Sequence, residues 1–319
     1  GQGDEGVLRV LEAPSPELPA GWIRVRTAAA ALNRADLLQR RGLYPPPPGA
    51  SEILGLECAG RVAETGQDGL GFAVGDRVMA LVPGGGQAEE TVVHAGSVLP
   101  VPEAFSDVEA GAFPEVFLTA HLNLFMLGGL APGATALVHG GSGGVGTAAI
   151  RLIKEVGATA IVTAGSEERC ARCLELGADA AVDYRADDFE DVAREMTEDR
   201  GVDVVLDCVG GAYLERNVRA LATEGRLVVL GLMGGTAGEL DLRRLLGKRL
   251  RVIGSTLRAL SVERKAEIVR SFLDRFGQTF RSGELRPVID QVYPMEEVAD
   301  AHRRLASGDA FGKVVLTIP

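Results

Sequence analysis

The chain has 319 residues, of which 46% are hydrophobic and 24% are charged, and such values are typical of a globular protein with about two domains. Its net charge of −11 disfavours nucleic acid and anionic membranes as partners, because their phosphates repel an acidic surface. No apolar run approaches the roughly 20 residues that span a bilayer, and no signal peptide is recognisable.

The cysteine content is low for a chain of this length, with four residues at Cys58, Cys170, Cys173 and Cys208. This is typical of a reduced, intracellular protein, and we expect a cytoplasmic location. Cys170 and Cys173 form a C-x-x-C pair inside a helical pattern. Half-buried helix residues are the simpler interpretation, and a redox pair is the alternative. The sequence has neither a zinc-type cysteine cluster nor a His-x-x-x-His pair.

Short β-like runs broken by glycine and proline fill the chain up to about residue 115. Examples are residues 22–26, 59–63 and 77–81, and the turn signal Gly75-Asp76 precedes the last of them. Many strands and few helices predict a compact, barrel-like β domain.

From about residue 133, short apolar strands alternate with helices. We expect strands at 136–139, 160–163, 203–207, 226–230 and 250–254, and helices at 145–156 and 167–176. This alternation predicts a parallel sheet covered by helices. The last stretch is mixed again, with a helix at 296–306 and a strand at 313–318. The two ends of the chain should therefore build one domain around an inserted nucleotide-binding domain.

The strongest chemical signal is a glycine turn between a strand and a helix. Gly141, Gly143 and Gly146 satisfy the pattern G-x-G-x-x-G in that context. A pyrophosphate binds main-chain amides at a helix N-terminus, where the helix dipole favours negative charge and side chains would hold the ligand away. The turn predicts dinucleotide binding, and an ordinary structural turn is the alternative.

The residues after the next strand bear on the choice between NADPH and NADH. An NAD site usually places Asp or Glu about 20 residues beyond the glycines, but Gly165 and Ser166 stand there and Arg169 follows. A guanidinium suits the 2′-phosphate of NADPH, so we expect NADPH. Glu167 and Glu168 are the counter-evidence, because either carboxylate can bind a ribose hydroxyl.

Several stretches together resemble the zinc-free quinone oxidoreductase family of the medium-chain dehydrogenase/reductase superfamily. They are residues 31–47, 55–60, 74–78, 114–120, the glycine turn and 312–316. Residues 33–47, 81–86 and 231–235 are most similar to the p53-inducible branch. The resemblance implies an α/β protein with a GroES-like, β-rich catalytic domain (1–117 and 258–319) and a Rossmann domain with a doubly wound parallel sheet (118–257). It also implies a strand ahead of residue 1, which this sequence does not contain.

The same resemblance argues against zinc. Alcohol dehydrogenases of the superfamily have a cysteine ligand within the stretch that corresponds to residues 33–36, and a Gly-His-Glu where this chain has Gly55-Leu56-Glu57. Both ligands are missing, as is the lobe of four cysteines that binds structural zinc. We therefore expect no metal to polarise the substrate.

The resemblance also implies a set of site residues. Asn33 and Tyr44 would border the nicotinamide and the substrate, where they orient the acceptor oxygen or lend it a proton. The cofactor-binding residues would be Asn33, Tyr44, Thr119, Ser142, Gly143, Gly144, Val145, Gly165, Ser166, Arg169, Tyr184, Val209, Gly231, Leu232, Met233, Leu257 and Lys313. Within this set, Lys313 would reach a phosphate, and Tyr184 would lie beside the 2′-phosphate.

Each of these residues has a structural alternative. Tyr44 can anchor the proline loop 45–48, and Asn33 can be an ordinary turn residue. Leu232 and Met233 can be core residues. Tyr184 and Arg169 can be surface residues without a ligand. His139 is expected to be a packed residue or one beside the cofactor, rather than an acid-base catalyst.

The expected activity is reduction of a quinone by NADPH, through hydride or single electrons, with little acid-base machinery. An enone or enoyl reductase is the nearest alternative, and a non-catalytic NADPH-binding protein is a third. The partners would be a small-molecule acceptor and a second copy of the chain, paired through an apolar edge strand at 250–257.

Overall fold

The structure, a computed structural model, describes residues 2–67 and 71–319. The chain forms two compact units. Unit 1 comprises Gly1–Leu118 and Leu257–Pro319, and unit 2 comprises Thr119–Thr256. None of the helices in the described part of the chain is both long and apolar enough to cross a membrane.

The strands, numbered in chain order, are β1 (Trp22–Ala31), β2 (Glu57–Thr65), β3 (Arg77–Leu81), β4 (Glu90–His94), β5 (Val98–Pro100), β6 (Thr135–His139), β7 (Thr159–Ala164), β8 (Ala180–Asp183), β9 (Val202–Asp207), β10 (Leu221–Val229), β11 (Arg251–Gly254), β12 (Ile289–Pro294) and β13 (Lys313–Thr317). The α-helices are α1 (Arg34–Arg40), α2 (Asp107–Gly111), α3 (Pro114–His121), α4 (Gly144–Glu155), α5 (Glu167–Glu175), α6 (Phe189–Met196), α7 (Leu214–Ala220), α8 (Leu242–Gly247), α9 (Val262–Arg281) and α10 (Val298–Ala306).

Unit 1 is built on one seven-stranded sheet with the order β12-β13-β1-β2-β3-β5, in which β4 also pairs with β1. In β1 buried and less buried residues alternate, as expected for a strand with one face on a core, and Ile23 and Val25 are fully buried. β13 pairs with β1 antiparallel and with β12 parallel. The end of the chain is therefore part of the same sheet as its beginning.

Helix α9 packs an aromatic face in unit 1. Its Phe272, Phe276 and Phe280 recur every four residues, which places them on one side of a helix, and all three are buried. Phe272 and Phe280 contact the ring of Phe113, and Phe113 stacks on Phe117 with 4.0 Å between ring centroids. The sequence patterns did not predict this 20-residue helix.

Unit 2 contains a six-stranded sheet with the order β11-β10-β9-β6-β7-β8. All five pairings are parallel, and the central strand β6 is buried along its whole length. Parallel strands need crossover connections, which α4 to α7 and the segments around them supply. The predicted fold class, a GroES-like β-rich domain with a Rossmann-type parallel-sheet domain, is confirmed.

Several elements differ in length from their predictions, and three of them bear on the sheets or on the end of the chain. The edge strand expected at 250–257 is shorter, since β11 ends at Gly254. The helix expected at 296–306 begins with a 3₁₀ turn, Met295–Glu297, before α10. β1 continues to Ala31, five residues past the predicted end, because alternation gives way to the buried run Ala29–Ala31, which packs against Val315.

The C-x-x-C pair consists of two free thiols buried in α5. Cys170 is 7% exposed and Cys173 is fully buried. Burial raises the pKa of Cys173 to about 12, so its reactive thiolate form is disfavoured near neutral pH. The pair thus lies in a helix as predicted, but both side chains are buried rather than half-buried.

Candidate functional site

The glycine turn connects β6 to α4 in unit 2. Helix α4 begins at Gly144 after the N-cap Gly143, and no side chain in the described part of the chain caps it. Residues 142–145 are half-buried, so the turn is open to solvent. The first amides of a helix carry partial positive charge and have no partner inside the helix. They form a ready site for a diphosphate.

The three glycines of the motif are needed for different reasons. A Cβ on Gly141 would lie 2.6 Å from Cβ of Val162, and a Cβ on Gly146 would overlap the carbonyl oxygen of Gly140. The absence of a side chain at Gly141 and Gly146 therefore allows the turn and α4 to approach the sheet. Among the described residues, a Cβ on Gly143 would contact only the Gly140 oxygen, at 3.4 Å. The space in front of Gly143 is open toward solvent, which is the cradle that a dinucleotide requires.

The loops that follow β9 and β10 lie at the same end of the sheet as the glycine turn. The Cys208 thiol donates to the carbonyl oxygen of His139, at the end of β6, over 3.4 Å. The amide of Gly234 donates to the Val209 oxygen over 2.7 Å. Parallel strands present their carboxyl ends together, and in open α/β sheets ligands bind at this edge.

The predicted nicotinamide-pocket residues of unit 2 lie in these two loops. Val209 and Gly231 are half-buried, and a Cβ on Gly231 would lie 2.8 Å from the Cys208 oxygen. Leu232 is 55% exposed and Met233 is 56% exposed. The alternative that Leu232 and Met233 are core residues is therefore wrong.

The residues predicted to bind the 2′-phosphate meet where β7 and β8 end. Ser166 is the N-cap of α5, and its hydroxyl accepts from the Arg169 amide over 3.3 Å. A Cβ on Gly165 would lie 2.8 Å from the Tyr184 hydroxyl, so this ring packs over the glycine. Arg185, which sequence reasoning missed, has its guanidinium 6.0 Å from the Tyr184 ring centroid. The structure thus brings the Ser166 hydroxyl and the Tyr184 phenol to the ends of the strands that follow β6 in the sheet.

His139 is a packed residue at the end of β6. It is 3% exposed, and its ring nitrogens contact Asn217 Oδ1 at 2.7 Å and Thr163 Oγ1 at 3.1 Å. Burial lowers its pKa to about 4, so the ring is neutral near pH 7. Thr119, the first residue of unit 2, is 7% exposed, and its main-chain oxygen accepts from Asn123.

Unit 1 contains a cluster of buried and half-buried charged and polar side chains, which we call the Glu57 cluster: Asn33, Asp36, Glu57, Glu115 and Lys313. Lys313 Nζ contacts Glu57 Oε1 at 2.7 Å and Asn33 Oδ1 at 2.6 Å, and it donates to the Leu32 oxygen at 2.8 Å. The side-chain amide of Asn33 donates to Glu57 Oε1 over 2.9 Å. Lys313 is 3% exposed and Glu57 is fully buried.

These contacts correct the expectation for Lys313. An ammonium has three N–H donors, and Lys313 has three acceptors within unit 1. Its donors are therefore used inside the protein instead of reaching a phosphate. The amide of Asn33 is occupied in the same way, which makes it suited to orienting its neighbours rather than to giving up a proton.

Two further carboxyl groups complete the Glu57 cluster. Asp36 accepts from the amides of Asn33 and Gly55, at 2.7 and 2.9 Å, and burial raises its pKa to about 6. The amide of Glu115, near the start of α3, donates to Glu57 Oε2 over 2.9 Å. Burial, together with the charge of Glu57, raises the pKa of the half-buried Glu115 carboxyl to about 8. Glu115 thus holds a proton near neutral pH.

The cluster does not fit a catalytic zinc. Leu56 is 2% exposed and has no ligand atom, and the oxygens of Glu57 are engaged by Lys313, Asn33 and the Glu115 amide. The Lys313 ammonium supplies the positive charge that a metal would bring. In residues 2–67 and 71–319, no group of three or more His, Cys, Asp or Glu side chains could hold a metal ion.

Tyr44 lies at the start of the proline loop and is half-buried. Arg258 donates to its main-chain oxygen over 3.1 Å, and the guanidinium is 5.3 Å from the ring centroid. Burial and the charge of Glu115 raise the pKa of the Tyr44 phenol, whereas Arg258 lowers it. The neighbouring Leu257 is 6% exposed and packs in unit 1.

Sequence reasoning missed Glu57, Glu115 and Arg258 as parts of a site. Glu57 and Glu115 lie in stretches that carried the family resemblance, but their side chains had no assigned chemistry. The available signal was a charged residue inside an otherwise apolar run, because such residues are rarely buried unless they are paired. Arg258 lies four residues beyond the end of β11, and nothing nearby in sequence marks its distant partners.

Two family models match the chain: the alcohol dehydrogenase GroES-like domain over residues 19–103 and the zinc-binding dehydrogenase domain over residues 176–316. A phenolphthiocerol/phthiocerol polyketide synthase polypeptide of Mycobacterium tuberculosis is 35% identical over 98% of this chain, which spans only 14% of that protein. Quinone oxidoreductase-like protein 2 of Bos taurus is 32% identical over 93% of this chain and 85% of the relative.

Solved structures with the same fold cover nearly the whole chain. An NAD-dependent alcohol dehydrogenase has a TM-score of 0.86 at 33% identity and covers 100% of this chain and 98% of its own. The quinone oxidoreductase of Escherichia coli, complexed with NADPH, has a TM-score of 0.85 at 29% identity over 99% and 98% of the two chains. The CurK enoyl reductase has a TM-score of 0.85 at 26% identity over 100% and 97%.

These similarities and the geometry of both units agree. The glycine turn fits a nicotinamide dinucleotide, and the two-unit architecture is that of the relatives. The chain belongs to the quinone oxidoreductase family of the medium-chain dehydrogenase/reductase superfamily.

Proposed function

We propose that the chain is a zinc-independent reductase that uses NADPH to reduce a quinone. The observation that supports the proposal is the order of strand ends in unit 2: the open glycine turn follows β6, and Ser166, Arg169 and Tyr184 follow the neighbouring strands β7 and β8. The similarity to an NADPH-bound quinone oxidoreductase supports it. The NAD-dependent neighbour makes NADH the competing cofactor.

In this proposal the residues of unit 2 bind the cofactor, which when bound supplies hydride or single electrons. The amides of residues 142–145 hold the diphosphate, and Gly143 permits its close approach. Ser166 and Arg169 bind the 2′-phosphate, and the Tyr184 ring lies beside it. Val209, Gly231, Leu232 and Met233 line the nicotinamide side of the same edge. Thr119 completes the proposed cofactor residues of unit 2, and Leu257 is the cofactor residue proposed in unit 1.

Unit 1 contributes the acceptor-binding side chains. Tyr44 offers a phenol that orients the acceptor oxygen, and its raised pKa keeps the phenol protonated and able to donate. Asn33, which belongs to the Glu57 cluster, orients Glu57 and Lys313. Because a quinone is already a strong acceptor of hydride or electrons, a single oriented donor is sufficient for this chemistry.

An acceptor screen run in parallel with NADPH and NADH tests the proposal. We expect naphthoquinone-type acceptors to be reduced faster than alkenals, with a preference for NADPH. A preference for alkenals would favour the enoyl-reductase alternative, which the similarity to the CurK enoyl reductase supports. Intact cofactor affinity without turnover of any acceptor would favour a non-catalytic NADPH-binding protein.

We also propose that the chain acts in the cytoplasm as a homodimer joined at the edge strand β11. This strand pairs with β10 on one side, and its residues are mostly exposed, including Val252 at 41%. Nearby Leu246 is 77% exposed. An apolar sheet edge is a ready template for a second strand. Sedimentation at micromolar concentration should give a dimer, and a monomer would refute this part of the proposal.

A further inference from the structure

Arg258 joins three separate segments of unit 1 through one buried guanidinium. Its Nε donates to the Pro83 oxygen over 2.7 Å, Nη1 donates to the Tyr44 oxygen over 3.1 Å, and Nη2 donates to Gln39 Oε1 over 2.6 Å. The side chain is 4% exposed in total. A buried charge is tolerated when its donors are satisfied, and here every nitrogen of the guanidinium has an acceptor.

The main chain of Arg258 is held by helix α9. Lys265 in α9, also 4% exposed, donates from Nζ to the main-chain oxygen of Arg258 over 2.8 Å. Helix α9 is the longest helix described. Arg258 therefore transmits the position of a well-packed helix to the loop that carries Tyr44.

The loop that carries Tyr44 has few main-chain N–H donors with which to form hydrogen bonds of its own. Residues 45–48 are four prolines, which have no N–H to donate. The preceding Leu43 is 70% exposed. A segment of this kind can be held mainly through its carbonyl oxygens, and these need donors from elsewhere in the chain. Arg258 supplies such a donor at Tyr44, and Gln39 Nε2 supplies another at the Glu52 oxygen over 2.8 Å.

The charge of Arg258 also acts on the phenol of Tyr44. Its guanidinium lies over the ring at 5.3 Å from the centroid, a cation–π distance. Arg258 favours the ionised phenol, whereas Glu115 opposes it. Tyr44 is thus held by Arg258 through its main chain and is affected by the same group through its ring.

We propose that Arg258 is a positioning residue that fixes Tyr44 and the proline loop against the Pro83 turn, and so sets the affinity for the planar acceptor. Arginine is required because its planar guanidinium directs several donors at once, whereas a lysine ammonium is a compact point charge. The link from Tyr44 to the acceptor rests on the proposed function, but the position of Tyr44 does not.

Fluorine NMR of protein labelled with 3-fluorotyrosine tests the positioning without any substrate. The chain has four tyrosines, and Tyr44→Phe assigns the resonance. Arg258→Lys should shift or broaden the Tyr44 resonance and leave the other three in place. Arg286→Lys is the matched control, because Arg286 also contacts a carbonyl, that of Ala104 at 2.9 Å, and an aromatic ring, that of Phe105 at 5.4 Å.

Kinetics with NADPH and naphthoquinone then test the consequence. Arg258→Lys should raise KM for the acceptor about tenfold and change kcat less than about twofold, with NADPH affinity unchanged. Arg286→Lys should match the parent. An unmoved Tyr44 resonance, or an acceptor KM equal to that of the control, would overturn the proposal.

Two outcomes need separate readouts. If Arg258→Lys does not fold, Gln39→Met removes one acceptor of the same guanidinium, and it should move the Tyr44 resonance in a milder way. An unmoved resonance in that variant would count against the proposal. If the parent reduces no acceptor at all, the proposed function fails, while the NMR result still decides whether Arg258 positions Tyr44.

Discussion

The glycine turn of unit 2 and the Glu57 cluster of unit 1 differ in the atoms that make them polar: main-chain amides at the turn and side chains in the cluster. At the turn, the groups proposed to bind the cofactor are main-chain amides, and Gly143 leaves the space in front of them open. In the cluster, buried side chains satisfy one another, so Lys313 depends on Glu57 and Asn33. A main-chain site should therefore lose ligand affinity when a side chain is added. A buried charge cluster should lose stability when one is removed.

The largest effect is expected for Lys313→Met, which leaves Glu57 buried without its cation. We expect the free energy of unfolding at pH 7 to fall by about 3–5 kcal/mol, measured with urea. The double variant Lys313→Met/Glu57→Gln removes both charges and should recover part of that loss. A loss below about 1 kcal/mol in the single variant would show that the buried Glu57 carboxylate does not depend on Lys313.

The next effect concerns the open face of the glycine turn. In Gly143→Ala the added methyl group fits the protein but would occupy the space in which we propose the diphosphate binds. We expect the thermal midpoint to stay near that of the parent and Kd for NADPH, measured by calorimetry, to rise about 30-fold. Gly247→Ala is the control, because a Cβ there meets no atom within 4 Å. Unchanged cofactor affinity in Gly143→Ala would exclude this face of the turn.

A smaller effect is expected from Glu115→Gln, and it depends on pH. The pKa of Glu115 rises from 4.5 to about 8 in the folded protein, so the folded state binds this proton more tightly than the unfolded state does. The parent should therefore lose stability as pH rises from about 4.5 to 8. The variant should therefore gain stability relative to the parent between pH 5 and pH 9. The exposed Glu103→Gln should show no such gain.

The smallest effect concerns the choice of cofactor. Arg169→Ala removes a guanidinium beside Ser166, and we expect the preference for NADPH over NADH, as a ratio of kcat/KM, to fall about tenfold. Arg172→Ala changes an exposed arginine of the same helix and should leave the ratio unchanged. If Arg169→Ala keeps the full preference, the 2′-phosphate is bound elsewhere, with Arg185 the first candidate.

Local patterns were sufficient for the parallel sheet and for the glycine turn. The strands 136–139 and 160–163 were predicted from short apolar runs, and β6 and β7 contain them. These features are local because strand formation and a glycine-rich turn depend on a few consecutive residues. Helix α9 was missed because its phenylalanines gain their stability from Phe113, about 160 residues away in the chain.

Taken alone, the sequence determined the two-part architecture, the place of the glycine turn and the family, because each depends on residue order over short spans. The tertiary structure decided which charged groups are partners. Lys313, expected as a phosphate ligand, forms an ion pair with Glu57. Arg258 donates to the main-chain oxygen of Tyr44, which is more than 200 residues away in the chain. Burial and pairing depend on where distant segments meet, and the spacing of residues along one chain does not specify that.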